Sequence, residues 1–384
     1  MAERLLFCSR RNGGVRSLVT GGAGFIGSHL VDALLERGHE VRVVDNLLKP
    51  VHLFGRPNYL PPEVEFIEGD VSEGETMRRA LRGVDWVFHQ AAYQGFLPDF
   101  STFFRTNTVS TALLLELIVT EKLPVQKVVV ASSQAVYGEG KHYCPRCDAF
   151  LYPPPRPLEQ LQRREWEVKC PQCDHPTEPR LTNEAHVDPH TQYAMSKYTQ
   201  EMVSLRLGRR HGIPVTCLRY SITQGPRQSF FNAYSGILRI FTLRMLTGKP
   251  PVAYEDGLMQ RDYVHVRDVV AANLLAIDDP RTDYEVYNVG SGVPTTVLEF
   301  AEVLARVLDT DLTPTVPGEF RLGDVRHIIS EVSKLRVLGW QVTADLETII
   351  RDYVTWVETF ADLEDYFAAA ERVLKAVGAV RRAA

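Results

Sequence analysis

No stretch of the 384 residues stays apolar long enough to span a bilayer. The first residues, Met1 to Gly14, place basic side chains around one short cluster, Leu5-Leu6-Phe7, too short for the apolar segment of a secretory leader. A cytoplasmic protein with no membrane partner is therefore expected. Basic charge is not in excess. The formal net charge is −5, so the whole-chain balance gives no support to a nucleic-acid partner, although a local basic patch stays open. Internal repeats and low-complexity tracts are absent. Cysteine is scarce, with six in all, and four of them fall in two Cys-x-x-Cys pairs. In a reducing compartment such pairs point to metal or redox chemistry before structural disulfides. Cys8 and Cys217 belong to no such pair and are expected to be structural or incidental.

What is present is ordinary for a globular chain: 45% hydrophobic and 24% charged residues, enough for one large unit or two compact ones. The first part alternates strand and helix patterns. Val15–Thr20 and Val41–Val44 are short apolar strands, and Ile26–Arg37 between them has Leu30, Leu34 and Leu35 on one side and Gly38 as its stop. Further strands are expected at Val64–Ile67, Trp86–Phe88, Val128–Val130 and Val215–Leu218. Strands apolar on both faces and separated by helices predict an α/β fold with a doubly wound parallel sheet. Residues 141–181 interrupt this rhythm with Pro, Cys, Arg and Gln, and predict an inserted module. After about residue 223 the pattern loosens and ends in amphipathic helices between Ala344 and Val380.

Gly21, Gly24 and Gly27 lie in the turn Thr20-Gly-Gly-Ala-Gly-Phe-Ile-Gly27, between the first strand and the first helix. A glycine motif alone is a weak signal, but here the context is right on both sides. Gly21 permits the tight turn, Gly24 lets backbone approach a pyrophosphate, and Gly27 lets helix and strand pack closely. Asp45 ends the second strand at roughly the 20-residue offset of an acid that holds the adenine ribose diol. A carboxylate there repels a 2′-phosphate, which favours NAD over NADP. A turn-starting Asp is the bland alternative. Asp70 and Val71, after the third strand, are candidates for the adenine ring.

Tyr193 and Lys197 form a Tyr-x-x-x-Lys pair and share a helix face. An ammonium near the phenol is expected to lower its pKa from about 10 and let it take a proton from a sugar hydroxyl. Ser132 and Ser133 follow the Val128–Val130 strand, and one of their hydroxyls is expected on the same substrate oxygen. Taken alone, such a Tyr/Lys pair is common by chance; the glycine turn, Asp45 and the serine strand end in this order give it weight.

With these motifs the chain resembles the extended short-chain dehydrogenase/reductase family, in its NAD-dependent nucleotide-sugar epimerase/dehydratase branch. The matching segments are TGGAGFIG (20–27), VVDN (43–46), HQAA (89–92), SSQAVYG (132–138), YAMSK (193–197), RDYVHV (261–266), NVGSG (288–292) and RLGDVRH (321–327). The resemblance implies a Rossmann domain over 15–222 plus 261–289 and a smaller substrate domain over 223–260 and 290–384. It implies Ser133 as the catalytic Ser/Thr, Tyr193 as base and Lys197 as the cofactor-ribose and pKa-tuning lysine. It also implies NAD contacts at Gly21, Gly24, Phe25, Ile26, Gly27, Asp45, Asn46, Asp70, Val71, Ala91, Ala92, Asn107 and Lys197. Arg261 and Arg321 would grip the substrate pyrophosphate, with Arg227 and Asn232 as further substrate contacts. A homodimer built on the helix before Glu121 and the Tyr193 helix is the implied assembly.

Two departures matter. Many sugar 4,6-dehydratases carry Asp-Glu directly after the catalytic Thr; here Gln134 and Ala135 stand there and cannot act as acid or base. This favours epimerisation of a nucleotide-diphosphate sugar at C4, by transient oxidation to a 4-keto sugar and hydride return. A decarboxylase, dehydratase or net dehydrogenase is the same-fold alternative; an idle NAD-sensing or RNA-binding protein is the alternative of another class. The second departure is RYSITQGPRQ (219–228), where relatives often read RYFNVYGPRQ, so Ile222 replaces an Asn near the substrate.

Cys144-Pro-Arg-Cys147 and Cys170-Pro-Gln-Cys173 are separated by 22 residues. Two such knuckles can surround a structural zinc with four thiolates; two redox disulfides are the alternative. His142 and His175 are taken as bystanders. The insertion lies between Ser133 and Tyr193, so it is expected at the mouth of the active site, as a lid or a subunit contact. With the SSQAVYGEG segment (132–140), it is similar to the subgroup described as dTDP-L-rhamnose 4-epimerases.

Overall fold

The computed structural model describes residues 14–49, 51–95, 97–229 and 236–360, with isolated positions between 372 and 383. Seven parallel strands form the central sheet: β1 (Arg16–Thr20), β2 (Glu40–Asp45), β3 (Glu65–Glu68), β4 (Trp86–His89), β5 (Lys127–Ser133), β6 (Val215–Tyr220) and β7 (Glu285–Val289). Their order is β7-β6-β5-β4-β1-β2-β3, and every neighbouring pair is parallel. Two winding directions from β1 place the carboxyl ends of β1 and β4 side by side, which is where such sheets bind ligands.

Successive strand residues point to opposite faces, and both faces are covered. Val129 and Ala131 of β5 pack in one apolar cluster with Leu30, Val31 and Leu34 of helix α1 (Phe25–Glu36). Val128 and Val130 pack in another, with Met77, Ala80, Leu114 and Ile118. This is why these strands are apolar at nearly every position. The sheet is a doubly wound α/β Rossmann arrangement, as expected. The sequence pattern missed β7, an edge strand whose apolar run is broken by Glu285 and Asn288, and stopped β5 three residues short of Ser133.

Helix α2 (Gln192–His211) carries Tyr193 and Lys197. Thr191 caps its start by accepting the Ala194 N–H (3.1 Å), and Gly212, at φ 70°, ends it. A third apolar cluster joins Leu238, Phe241 and Leu243 to Phe300, Leu304, Ile349, Ile350 and Tyr353 beside the sheet. The insertion forms a three-stranded antiparallel sheet with His142–Cys144 in the centre, flanked by Ala149–Leu151 and Glu178–Pro179. Its two ends run together: the Arg180 N–H donates to the Lys141 carbonyl (2.8 Å), and the Lys141 N–H to the Thr182 hydroxyl (2.9 Å).

Candidate active site and cysteine cluster

At the end of β1, the glycine turn leaves no room for side chains. Gly21 has φ 67°, and a Cβ there would lie 2.8 Å from the Ala91 backbone after β4. A Cβ on Gly27 would fall 2.2 Å from the Gly21 carbonyl oxygen, and one on Gly24 3.2 Å from it. The start of α1 therefore sits directly against the turn, with its N–H groups beside it and no capping side chain. Ala91 N–H donates to the Thr20 hydroxyl (3.2 Å), which also bonds His89 Nδ1 (2.8 Å), locking the ends of β1 and β4 together.

Asp45 is buried beside this turn. It accepts the Ala23 N–H (3.1 Å) and the Leu47 N–H (3.0 Å), and His52 Nε2 stands 3.8 Å away. Burial pushes its carboxyl pKa up, against His52 and the backbone donors that pull it down. At the end of β3, Asp70 accepts from Ser72 N–H and hydroxyl (both 2.7 Å) and from Asn46 Nδ2 (3.3 Å), while Val71 is buried. Asn107 sits in a wide helical turn, Phe104–Val109. Its amide N–H groups donate to the Tyr93 carbonyl (3.0 Å) and Ser196 hydroxyl (2.9 Å), and its oxygen accepts Tyr93 N–H (2.8 Å). These bonds make Asn107 a clamp between the loop after β4 and α2; both amide hydrogens go to protein.

The two serines of β5 differ in what they can do. Ser132 donates to Glu201, which forks onto Arg219 (2.7 and 2.8 Å), all three buried. Both line the cavity, but only the Ser133 hydroxyl lies within hydrogen-bonding reach of the Tyr193 phenol, that of Ser132 being committed to Glu201. Burial pushes that phenol up to about 12, with Ser133 pulling the other way. The expected lowering by Lys197 does not operate in this arrangement. Lys197 donates to the Ala131 carbonyl (2.7 Å) and Gln200 Oε1 (3.0 Å), and burial brings its own pKa down to about 7. The lysine shares the helix face but points its amine to the sheet.

Phe25, Ile26, Ser133, Tyr193, Arg227, Arg261 and Arg321 all line one cavity of about 1180 Å³. That exceeds the roughly 300–1,000 Å³ of a single small-ligand pocket, and suits two ligands end to end. The arginines are not held out alike. Arg227 pairs with Asp32 of α1 (2.7 Å) and lies over the Tyr59 ring (4.9 Å). The terminal nitrogens of Arg261 donate to the carbonyls of Gln260 (3.0 Å), Arg326 (3.0 Å) and Val325 (2.8 Å), so its fork is anchored on the protein's own loop where it lines the cavity. Arg321 lies over the Tyr254 ring (4.7 Å) and 4.0 Å from Asp324. Asn232 lies outside the described residues, as do Cys8 and most of the expected C-terminal helix after Phe360.

Two features of the cavity escaped the motifs. Gln224, fully buried, lines it with neither amide atom hydrogen-bonded among the described residues. Its position in RYSITQGPRQ, where relatives read Tyr, was the available signal. The second is a charge network that joins the insertion to segment 321–327, formed by residues far apart in sequence.

The four cysteine Sγ atoms of the insertion lie within 4.8 Å of one another; Cys144 and Cys173 are 3.5 Å apart, Cys147 and Cys170 3.9 Å. Four sulfurs at about 2.3 Å around a tetrahedral ion stand about 3.8 Å apart, so the set fits such an ion. The Cys147 N–H points at Cys144 Sγ (3.4 Å), and Asp148 and Asp174 take left-handed φ of 51° and 56° after each knuckle. All four thiols are free in this structure. His142 bonds Thr177 (2.9 Å) and the Glu139 carbonyl (3.1 Å), apart from the cluster.

The family described as "NAD dependent epimerase/dehydratase family" matches residues 17–162 and 170–290. This chain belongs to that family. The break in the match falls inside the insertion. Among relatives of the family, a dTDP-L-rhamnose 4-epimerase from Burkholderia thailandensis is 32% identical, over 90% of this chain and 95% of its own length. A UDP-glucose 4-epimerase from Thermotoga maritima, solved with UDP-glucose, is similar with a TM-score of 0.73 and 32% identity, covering 90% of this chain and 99% of that one. The Thermus thermophilus UDP-glucose 4-epimerase, in complex with NAD, gives a TM-score of 0.70 and 29% identity, over 90% and 100%. Among the described residues no helix is long and apolar enough to cross a membrane.

Proposed function

We propose that this protein is an NAD-dependent nucleotide-sugar epimerase that inverts C4 of the sugar by transient oxidation and hydride return. One juxtaposition carries the reading: the Ser133 hydroxyl and the Tyr193 phenol meet in the cavity that also takes in the start of α1 and Arg261 and Arg321. NAD, when bound, supplies the hydride acceptor and then the donor. In this reading Gly21, Gly24, Phe25, Ile26 and Gly27 hold its pyrophosphate, Asp45 and Asn46 its ribose, Asp70 and Val71 its adenine, and Ala91, Ala92, Asn107 and Lys197 the far half. Asn107 acts there by fixing the Tyr93 backbone. Ser133 and Tyr193 bind the 4-hydroxyl and hold or take its proton. A phenol held protonated to about 12 becomes a base only when positive charge gathers beside it; Lys197, one turn along α2, would supply it only by turning its amine from the Ala131 carbonyl toward the cavity.

The cavity acids favour epimerisation over elimination. Gln134 and Ala135 line the cavity where dehydratases carry carboxylates. Glu139 lines it too, but its oxygens take the Arg326 N–H (2.7 Å) and Arg156 (3.5 Å). The bound sugar nucleotide is assigned to Arg321 and Arg261, with Arg227 and Asn232 at the periphery. The Rossmann domain is assigned to 15–222 plus 261–289, and the substrate domain to 223–260 and 290–384. The four cysteines are assigned to a structural zinc, the assembly to a homodimer, and the compartment to the cytoplasm, where thiols stay reduced.

The test is a panel of UDP-, dTDP- and GDP-sugars, read by NMR for products and by absorbance for NADH. A product of unchanged mass with C4 inverted and no net NADH is expected. Loss of water or carbon dioxide, or stoichiometric NADH, overturns epimerisation. Tyr193→Phe should lower turnover by at least about 100-fold while NAD binding persists; unchanged turnover would remove Tyr193 from the chemistry.

A further inference from the structure

The insertion reaches the cavity through charges. Arg156, on the insertion, forks onto Glu255 with two bonds of 2.9 Å, and donates to the Trp166 carbonyl (2.9 Å) and the Asp324 carbonyl (2.8 Å). Arg326 answers from the other side. It donates to Glu255 (2.9 Å), to both oxygens of Asp256 (2.7 and 2.8 Å) and to Glu167 of the insertion (2.7 Å). His327 is fixed as one tautomer: Nδ1 accepts the Gln260 N–H (3.2 Å), so Nε2–H donates to the second oxygen of Glu167 (3.0 Å). Arg156, Glu139, Glu255 and Arg326 are buried to within 2% of full exclusion.

Buried ion pairs are a poor source of stability, because desolvation opposes their attraction; their best use is to select one arrangement. Here the arrangement selected is that of segment 321–327. Its first residue is Arg321, its Asp324 carbonyl is held by Arg156, and its Val325 and Arg326 carbonyls hold the guanidinium of Arg261. A continuous chain of hydrogen bonds thus runs from the cysteine-bearing insertion to the Arg261 guanidinium, and the same segment holds the Arg321 backbone, whose carbonyl accepts the Asp324 N–H (3.3 Å).

We propose that Arg156 and Glu167 are positioning residues for the nucleotide-diphosphate end of the substrate site, fixing segment 321–327 so that Arg261 and Arg321 face the anion correctly. The inference rests on the nucleotide-sugar reading above. It assigns the insertion a part in substrate affinity, where a lid or subunit contact would act elsewhere. NAD, held at the glycine turn, lies outside this chain of contacts.

The experiment uses the full chain and two variants, Glu167→Gln and Arg156→Lys. Glu167 is half exposed, so its amide leaves no buried charge unpaired; Arg156→Lys keeps charge but loses the fork. Calorimetry measures the affinity of UDP, dTDP and NAD, kinetics separate KM from kcat, and urea unfolding reports the fold. Each variant should bind UDP or dTDP about tenfold more weakly and raise KM in step, with kcat and NAD affinity within about twofold. Nucleotide affinity equal to wild type in folded Glu167→Gln overturns the proposal. Equal losses of NAD affinity, nucleotide affinity and stability also overturn it, because they mark a merely structural role. Wild-type protein that binds neither UDP nor dTDP overturns the nucleotide-sugar reading first, and this proposal with it.

Discussion

Lys197 illustrates how one buried group acts before any ligand arrives. Its amine is inside the protein and burial brings it to about 7, whereas a lysine in an unfolded chain titrates near 10.4. Between those values the unfolded chain binds the extra proton. Stability of the cofactor-free protein should therefore rise from pH 7 toward pH 10 and be lost as pH falls back through that window. Tyr193 acts in the opposite sense only above pH 10, where the unfolded phenol ionises and the folded one does not. Urea midpoints at pH 7, 8 and 9 measure the slope. Lys197→Met should flatten it; parallel slopes in the two proteins would show that the amine is already charged in the fold.

At the scale of elements, the sequence made some relations plain and hid others for physical reasons. The glycine turn was legible because Gly27 is demanded by the Gly21 backbone a few residues away and Gly21 by its own φ of 67°, and local constraints leave local marks. The Tyr193/Lys197 face was legible from helix periodicity, but not the direction of the lysine, which depends on the Ala131 carbonyl of another element. From the residues alone Ser132 and Ser133 were indistinguishable, and only the resemblance chose Ser133; in the structure Glu201 claims the first. The two knuckles were legible from spacing alone, yet the docking of the insertion was not, since Arg156 and Glu255 are 99 positions apart. The knuckles also carry their own prediction. Elemental analysis should find one zinc per chain, and Cys170→Ser should lose it and lower the unfolding midpoint, because metal binding is coupled to folding of such small modules. Metal-free protein with an unchanged midpoint would contradict a structural zinc.

For the whole molecule, two neighbouring helices leave apolar side chains uncovered. Val109 lies on the helix running to Thr120, and Met195 and Met202 on α2; each is more than 40% exposed. An isologous pairing of this face would cover all three in both copies. Light scattering should give twice the chain mass, and the double variant Met195→Asp, Met202→Asp should shift the protein to the monomer. A monomeric wild type at micromolar concentration would end that reading.

The pairing of Lys141 with Arg180 has a consequence for protein engineering. Everything between them departs from and returns to one point on the Rossmann scaffold, so residues 142–179 form a cassette that a short loop can replace without stretching the sheet. Transplanting the cassette is a different matter. Its recipient must already supply the counterparts of Glu255, Asp256 and Arg326, or Arg156 arrives as a buried cation with nothing to neutralise it. Removal spares the sheet but takes Arg156 from the buried Glu139 and Glu255, so both operations need compensating changes in the network.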